Sequence, residues 1–120
     1  MTNYLPGMLL IPALALSACG EKETEGTVHT VNTTVESMAF DPRDLTIAAG
    51  DTVRFVMTNN HNAVEISEET YNNAEGTPLE GGFNVSFGET GEVTFDEAGV
   101  HYYLCQPHIG VDMFGTITVE

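Results

Sequence analysis

Positive charge is what this sequence has least of. Its 120 residues hold 18 acidic side chains against only three basic ones, Lys22, Arg43 and Arg54, for a formal net charge of −15. Phosphate contacts need the opposite sign, so nucleic acid is excluded as a partner. Cysteine is nearly as scarce. Cys19 and Cys105 are the only two, so a disulfide would have to join them, and the residues around Cys19 argue for another fate. No segment keeps a helical period, and no internal repeat or low-complexity tract is visible. The one long apolar stretch, residues 8–18, falls short of the ~20 residues of a membrane-spanning helix and is broken by Pro12. At this length there is room for one hydrophobic core.

What is present reads as all-β. Val53, Phe55 and Met57 alternate with Thr52, Arg54 and Thr58, the period-two pattern of a half-buried strand. Val93-Thr94-Phe95, Val100 to Cys105 and Gly115 to Val119 repeat the theme. Turn residues separate these runs at Asp41-Pro42, Ala49-Gly50-Asp51, Asn59-Asn60, Gly81-Gly82, Gly88-Glu89, Gly91-Glu92 and Ala98-Gly99. Residues 67–80 are polar and suit a short helical turn or a loop. The expected architecture is a Greek-key β-sandwich of about seven to eight strands, its connections gathering the functional loops at one end.

The chemistry lies near the C-terminus. Cys105-Gln106-Pro107-His108-Ile109-Gly110-Val111-Asp112-Met113 places thiolate, imidazole and thioether in one nine-residue loop between two strand-like runs, at the spacing C-x2-H-x4-M. These are ligand types of a blue-copper site, where two His and one Cys surround the metal and a Met stands at longer axial distance. His61, after the run Thr52 to Thr58, is the natural fourth ligand. Taken singly, Cys105 would be a buried inert thiol and Met113 core filling. His29 and His101 read as surface or packing residues; His101 lies ~13 Å along the strand from Cys105 at ~3.3 Å per residue, out of coordination range.

Together with Met38-Ala39-Phe40-Asp41-Pro42, Leu45-Thr46-Ile47, Gly50-Asp51-Thr52-Val53 and Asn59-Asn60-His61-Asn62, this loop resembles a cupredoxin of the plastocyanin and pseudoazurin type over residues 27–120. The resemblance implies one type 1 copper ion held by His61, Cys105, His108 and Met113. Cys105 would supply the thiolate responsible for the blue colour, His61 the buried imidazole, His108 the imidazole whose edge reaches the surface, and Met113 the weak axial ligand. Asn62 would hydrogen-bond across the two ligand loops. Pro107 has no N–H to give the sulfur, which should favour copper(II) relative to relatives with a donor there.

Pro107, Ile109 and Val111, with Phe114 nearby, would form an apolar docking patch around His108 for a redox partner, with Ile109 foremost. The acids at Glu65, Glu68, Glu69, Glu75 and Glu80 would steer a basic cytochrome or a respiratory or photosynthetic complex. Alternatively the acidity reflects a high-salt habitat, where short Debye lengths relieve self-repulsion. The implied function is a monomeric electron carrier cycling one copper between Cu(I) and Cu(II), not an enzyme; copper storage or delivery is the alternative. A hydrolase or transferase with Cys105 as nucleophile ranks last, since no oxyanion site is legible. A binuclear copper site would need a second loop cysteine, which the loop lacks.

Upstream, the apolar stretch ends in Leu16-Ser17-Ala18-Cys19, which resembles a bacterial lipoprotein signal peptide cut before Cys19. The expected division is a signal peptide over 1–18, an acidic tether over 19–26 with lipid on Cys19, and the copper domain over 27–120. The seven residues from Gly20 to Gly26 reach at most ~25 Å when extended. The expected location is the cell envelope, exported and lipid-anchored to a membrane on its periplasmic or extracellular face.

Overall fold

The computed structural model describes residues 26–120; the expected signal peptide, Cys19 and all but the last residue of the tether lie outside them. The order is β1 (Val28–Asn32), β2 (Asp44–Ile47), β3 (Asp51–Val56), β4 (Ala63–Ile66), α1 (Glu68–Asn72), β5 (Asn84–Val85), β6 (Thr90–Phe95), β7 (Gly99–Leu104), a 3-10 segment (Gln106–Val111) and β8 (Phe114–Val119). One sheet runs β1-β3-β6 and the other β2-β8-β7-β4-β5. β1 lies parallel to β3 and β2 parallel to β8, while the remaining pairs are antiparallel. This is the expected sandwich.

Period-two patterning explains the inner faces. Val53, Phe55 and Met57 are buried, while Arg54 between them is exposed. They meet Phe40, Tyr103, Ile117 and Val119 in one core. Each fully buried residue of this size contributes roughly 1.5–3 kcal/mol from area removed from water. Aromatic rings organise the centre: Tyr103 lies 4.7 Å from Phe40 and 5.3 Å from Phe55 between centroids, with Phe83 stacked 4.9 Å from Phe55. Tyr103 faces Gly115 across β7 and β8, and a Cβ there would stand 2.5 Å from its Cζ. Glycine is therefore required at 115 for space.

The five-stranded sheet is buried on its outer face as well. Val64, Ile66, Leu104 and Phe114 form a second cluster, joined by Tyr71, Tyr102 and Ile109. Tyr71 comes from α1 and packs on Tyr102 at 4.7 Å and edge-on to Phe114 at 5.6 Å. The helix falls inside the polar stretch, residues 67–80, where a short helical turn or a loop was expected. Ser67 caps it by accepting from the Thr70 N–H at 3.0 Å, the standard way to satisfy an orphan donor. Its end is equally well defined: Ala74 N–H reaches Tyr71 O, Glu75 N–H reaches Thr70 O, and Ala74 has φ 56. That is a Schellman turn with alanine at the left-handed position glycine usually fills.

The start of the domain is fixed at the turn before β3. Asp51, buried there, accepts hydrogen bonds from Thr27 N at 2.9 Å, Ala48 N at 3.0 Å and His29 Nε2 at 2.9 Å. The Thr27 N–H foremost, with His29 and Ala48, holds the Asp51 carboxyl down to about 2. In the unfolded chain this group takes its proton near the ordinary 3.8. Its stabilisation is therefore complete above that value and is lost as pH falls from there to about 2. Asp51→Asn should lower stability at neutral pH and flatten this part of the acid unfolding curve, as read by circular dichroism; an unchanged acid limb would contradict the assignment.

Candidate metal centre

β3 and β7 run out at the same end of the sandwich, and the loops that follow them carry the donors. Cys105 directly follows β7 with both of its own backbone groups held: its N–H donates to Met113 O at 3.0 Å, and its carbonyl accepts from His108 N–H at 3.1 Å. The chain then turns through the 3-10 segment, where Pro107 suits an N-terminal position because the N–H it lacks would have no partner there. Met113 N–H returns to His108 O at 3.2 Å. Cys105 and Met113 are both fully buried.

His61 approaches from the β3–β4 connection. Cys105 Sγ lies 3.7 Å from His61 Nδ1 and 3.3 Å from His108 Nδ1, the two rings stand 4.9 Å apart, and the three ligand atoms lie within 4.8 Å of one another. His61 is fully buried, whereas His108 is half-buried. The Nε2 of His61 lies 2.9 Å from Thr34 O. A carbonyl only accepts, so Nε2 carries a proton, which leaves Nδ1 as the nitrogen that can offer a lone pair towards the sulfur. Burial pushes the Cys105 thiol up, opposed by the backbone N–H groups of Asn62 and His108. Two imidazole nitrogens aimed at one buried sulfur, with a buried Met in the same loop, fit the donor set of a type 1 copper ion.

Asn62 joins the two loops. Its Oδ1 accepts from Gln106 N at 2.9 Å, and its Nδ2 donates to Gln106 Oε1 at 3.2 Å. Pro107 is exposed beside His108, as is Val111 at 57 %. Ile109 is half-buried and packs against the outer cluster, and Phe114 is buried within it. Sequence reasoning missed Val35 and Phe87, exposed at 55 % and 48 %; Asn60 Nδ2 donates to Val35 O, and the Gly88 N–H to Thr58 O, which puts both residues beside the His61 loop. Their only signal was an apolar letter inside a turn.

His101 stands apart from the donors, its Nδ1 2.7 Å from Glu65 Oε2 and its ring 4.7 Å from Phe95. Glu65 corrects an expectation. It does not belong to the acidic surface: it is buried, accepting from His101 and from Phe83 N at 3.1 Å. Among the described residues His61, Cys105 and His108 form the one cluster with metal-ligand geometry.

Residues 27–120 match the model of the copper binding proteins of the plastocyanin/azurin family. The chain is 41 % identical over 90 residues to plastocyanin of Scenedesmus fuscus, covering 70 % of this chain and 89 % of that one. It is 35 % identical over 85 residues to halocyanin of Natronomonas pharaonis, covering 68 % of this chain and 48 % of that one. Among solved structures it superposes on a pseudoazurin from Sinorhizobium with TM-score 0.60 at 28 % identity, covering 78 % and 74 % of the two chains.

Replacing Asn62 tests the link between the loops. Asn62→Ala removes the acceptor of the Gln106 N–H, so a loss of about 0.5–1.5 kcal/mol in stability is expected, together with copper affinity weakened by about 10–100-fold. Denaturation of the metal-free protein and competition with a copper chelator measure the two effects separately.

Proposed function

Because the chain belongs to the plastocyanin/azurin family of copper-binding proteins, we propose that it is a membrane-tethered blue-copper electron carrier that works as a monomer and catalyses no reaction on a substrate. When bound, copper supplies one-electron chemistry by alternating between Cu(I) and Cu(II). The observation that carries the reading is the convergence of His61 Nδ1 and His108 Nδ1 on Cys105 Sγ at 3.7 and 3.3 Å. Soft sulfur donors suit Cu(I) and imidazole suits Cu(II). Ligands fixed by Thr34 O, Asn62 and the backbone of Met113 serve both states with little rearrangement.

The path for exchange is His108, half-buried with Pro107 and Val111 exposed beside it. This apolar rim is the docking surface for a redox partner. Chain direction supports the tether. β1 is paired in parallel with β3, from Val28 opposite Thr52 to Asn32 opposite Val56, and β3 leads to His61. The domain is therefore entered at the end opposite the ligands, at least the span from Val28 to Asn32 away, about 13 Å at ~3.3 Å per residue. A lipid on Cys19 would hold that far end to an envelope membrane and leave the copper end facing outward.

Charge suits a basic partner. Arg43 and Arg54 are each paired with one acid, Asp112 and Glu92, while α1 and the loop after it present Glu68, Glu69, Glu75 and Glu80. Transfer to a basic cytochrome should slow as salt rises if these acids steer association. A folding midpoint that climbs with salt instead assigns the acidity to self-repulsion relieved by screening.

An absorption and electron paramagnetic resonance spectrum of the copper-loaded protein tests the central reading. The parent should show an intense blue band and a reversible potential, Cys105→Ser should abolish the band, and His101→Ala should keep it. A parent that binds copper without colour and passes Cu(I) rapidly to an acceptor would make it a delivery protein.

A further inference from the structure

The two imidazoles of the centre are fixed by different means. His61 is held through its own ring by Thr34 O at 2.9 Å. His108 sits at a break in the 3-10 segment, with φ −118 and ψ 29, and the residues on either side of that break are tied down at one point of another loop. That point is Gly76. The Schellman turn at Ala74 ends α1 and brings Gly76 against the ligand loop two residues later. A Cβ built on Gly76 would stand 2.5 Å from Ile109 Cδ1, so the tip of the isoleucine occupies the space a side chain would fill. The carbonyl of the same glycine accepts from Gln106 Nε2 at 3.4 Å, a long and solvent-exposed bond that is the weaker of the two contacts.

Both contacts have a second anchor. Gln106 is bonded through its backbone N and its Oε1 to Asn62, and Ile109 packs on Val64, Ile66, Leu104 and Phe114. Gly76 has no positive φ, so its lack of a side chain serves space and not backbone conformation.

We infer that Gln106 and Ile109 are positioning residues for His108, seated on Gly76, so that the loop after α1 sets where the exposed imidazole stands. The inference rests on the copper reading. It assigns Ile109 to the support of the centre, leaving Pro107 and Val111 as the exposed rim. A Cβ at 76 displaces only the Cδ1 tip of Ile109, with Cγ1 3.8 Å away, so it takes the two further methyls of a valine to press on the rest of that side chain beside His108.

Three variants test this: Gly76→Val fills the seat, Ile109→Ala empties it, and the double variant gives the valine room. Gly76→Val and Ile109→Ala should each change the copper hyperfine pattern and the reduction potential and weaken copper retention by about 10-fold, the low end of the ~10–100-fold typical when a supporting partner is removed. The double variant should return towards the parent, a coupling that independent sites do not show. In metal-free protein, amide hydrogen exchange over residues 106–111 should quicken in each single variant. Ile109→Ala creates no clash, so it reports even if Gly76→Val fails to fold. A shift in denaturation midpoint with spectrum, potential, retention and loop exchange unchanged would reduce Gly76 to a packing residue and overturn the inference. A parent with no blue band would sink the copper reading instead, and the metal-free exchange would then decide the seat alone: quicker exchange upholds it, unchanged exchange overturns it.

Discussion

Two hydrogen bonds between Asn62 and Gln106 join segments 44 residues apart, and the geometry of the metal centre depends on them. Backbone pairing cannot do this work. β4 and β7 carry their ladder only as far as Val64 opposite Leu104; beyond that, the loops holding His61 and Cys105 leave the sheet. An amide side chain with one acceptor and one donor turned to the same partner extends the sheet's register into irregular structure. The ligands are thereby presented as a set, even though His61 comes from a segment with no local reason to face the loop that holds the other three.

That presentation has an electrostatic cost that the fold contains. A buried sulfur is kept protonated by desolvation, which favours the neutral thiol, and the Thr34 carbonyl fixes the proton of His61 on Nε2, away from the sulfur. The thiol thus adds no charge to the interior before metal arrives. Metal binding has to displace the thiol proton, which links occupancy to pH and to the stability of the whole domain. The two buried carboxylates, Glu65 beside His101 and Asp51 beside His29, each have a partner, and the other acids among the described residues are exposed.

The four candidate ligands were legible because each is a side chain with distinctive chemistry at a recognisable spacing, and β3 was legible because Val53, Phe55 and Met57 face one core. β4 was not, because Ala63 to Ile66 are buried on both faces and the alternation that marks a half-buried strand disappears. Glu65 was read as surface because a glutamate almost always is; only the approach of His101 and the Phe83 N–H makes its burial possible. Thr34 and Gly76 were silent for a deeper reason. One acts through a carbonyl every residue possesses, and the other through an absence of atoms, so neither has a letter that announces it.

The strands behind the centre belong to two cores at once. Along β7 and its exit, Tyr103 and Cys105 face the inner core while Tyr102 and Leu104 face the outer one; Met113 and Phe114 divide in the same way. Each sulfur ligand therefore has a large hydrocarbon neighbour aimed the opposite way. If the β7–β8 hairpin, in which Leu104 pairs with Phe114, slid one residue towards its loop, leucine would stand where the thiol belongs and phenylalanine where the thioether belongs. Such a misthreaded chain would not be a weaker copper protein but a colourless one, so the hue of a preparation counts the molecules whose register is right.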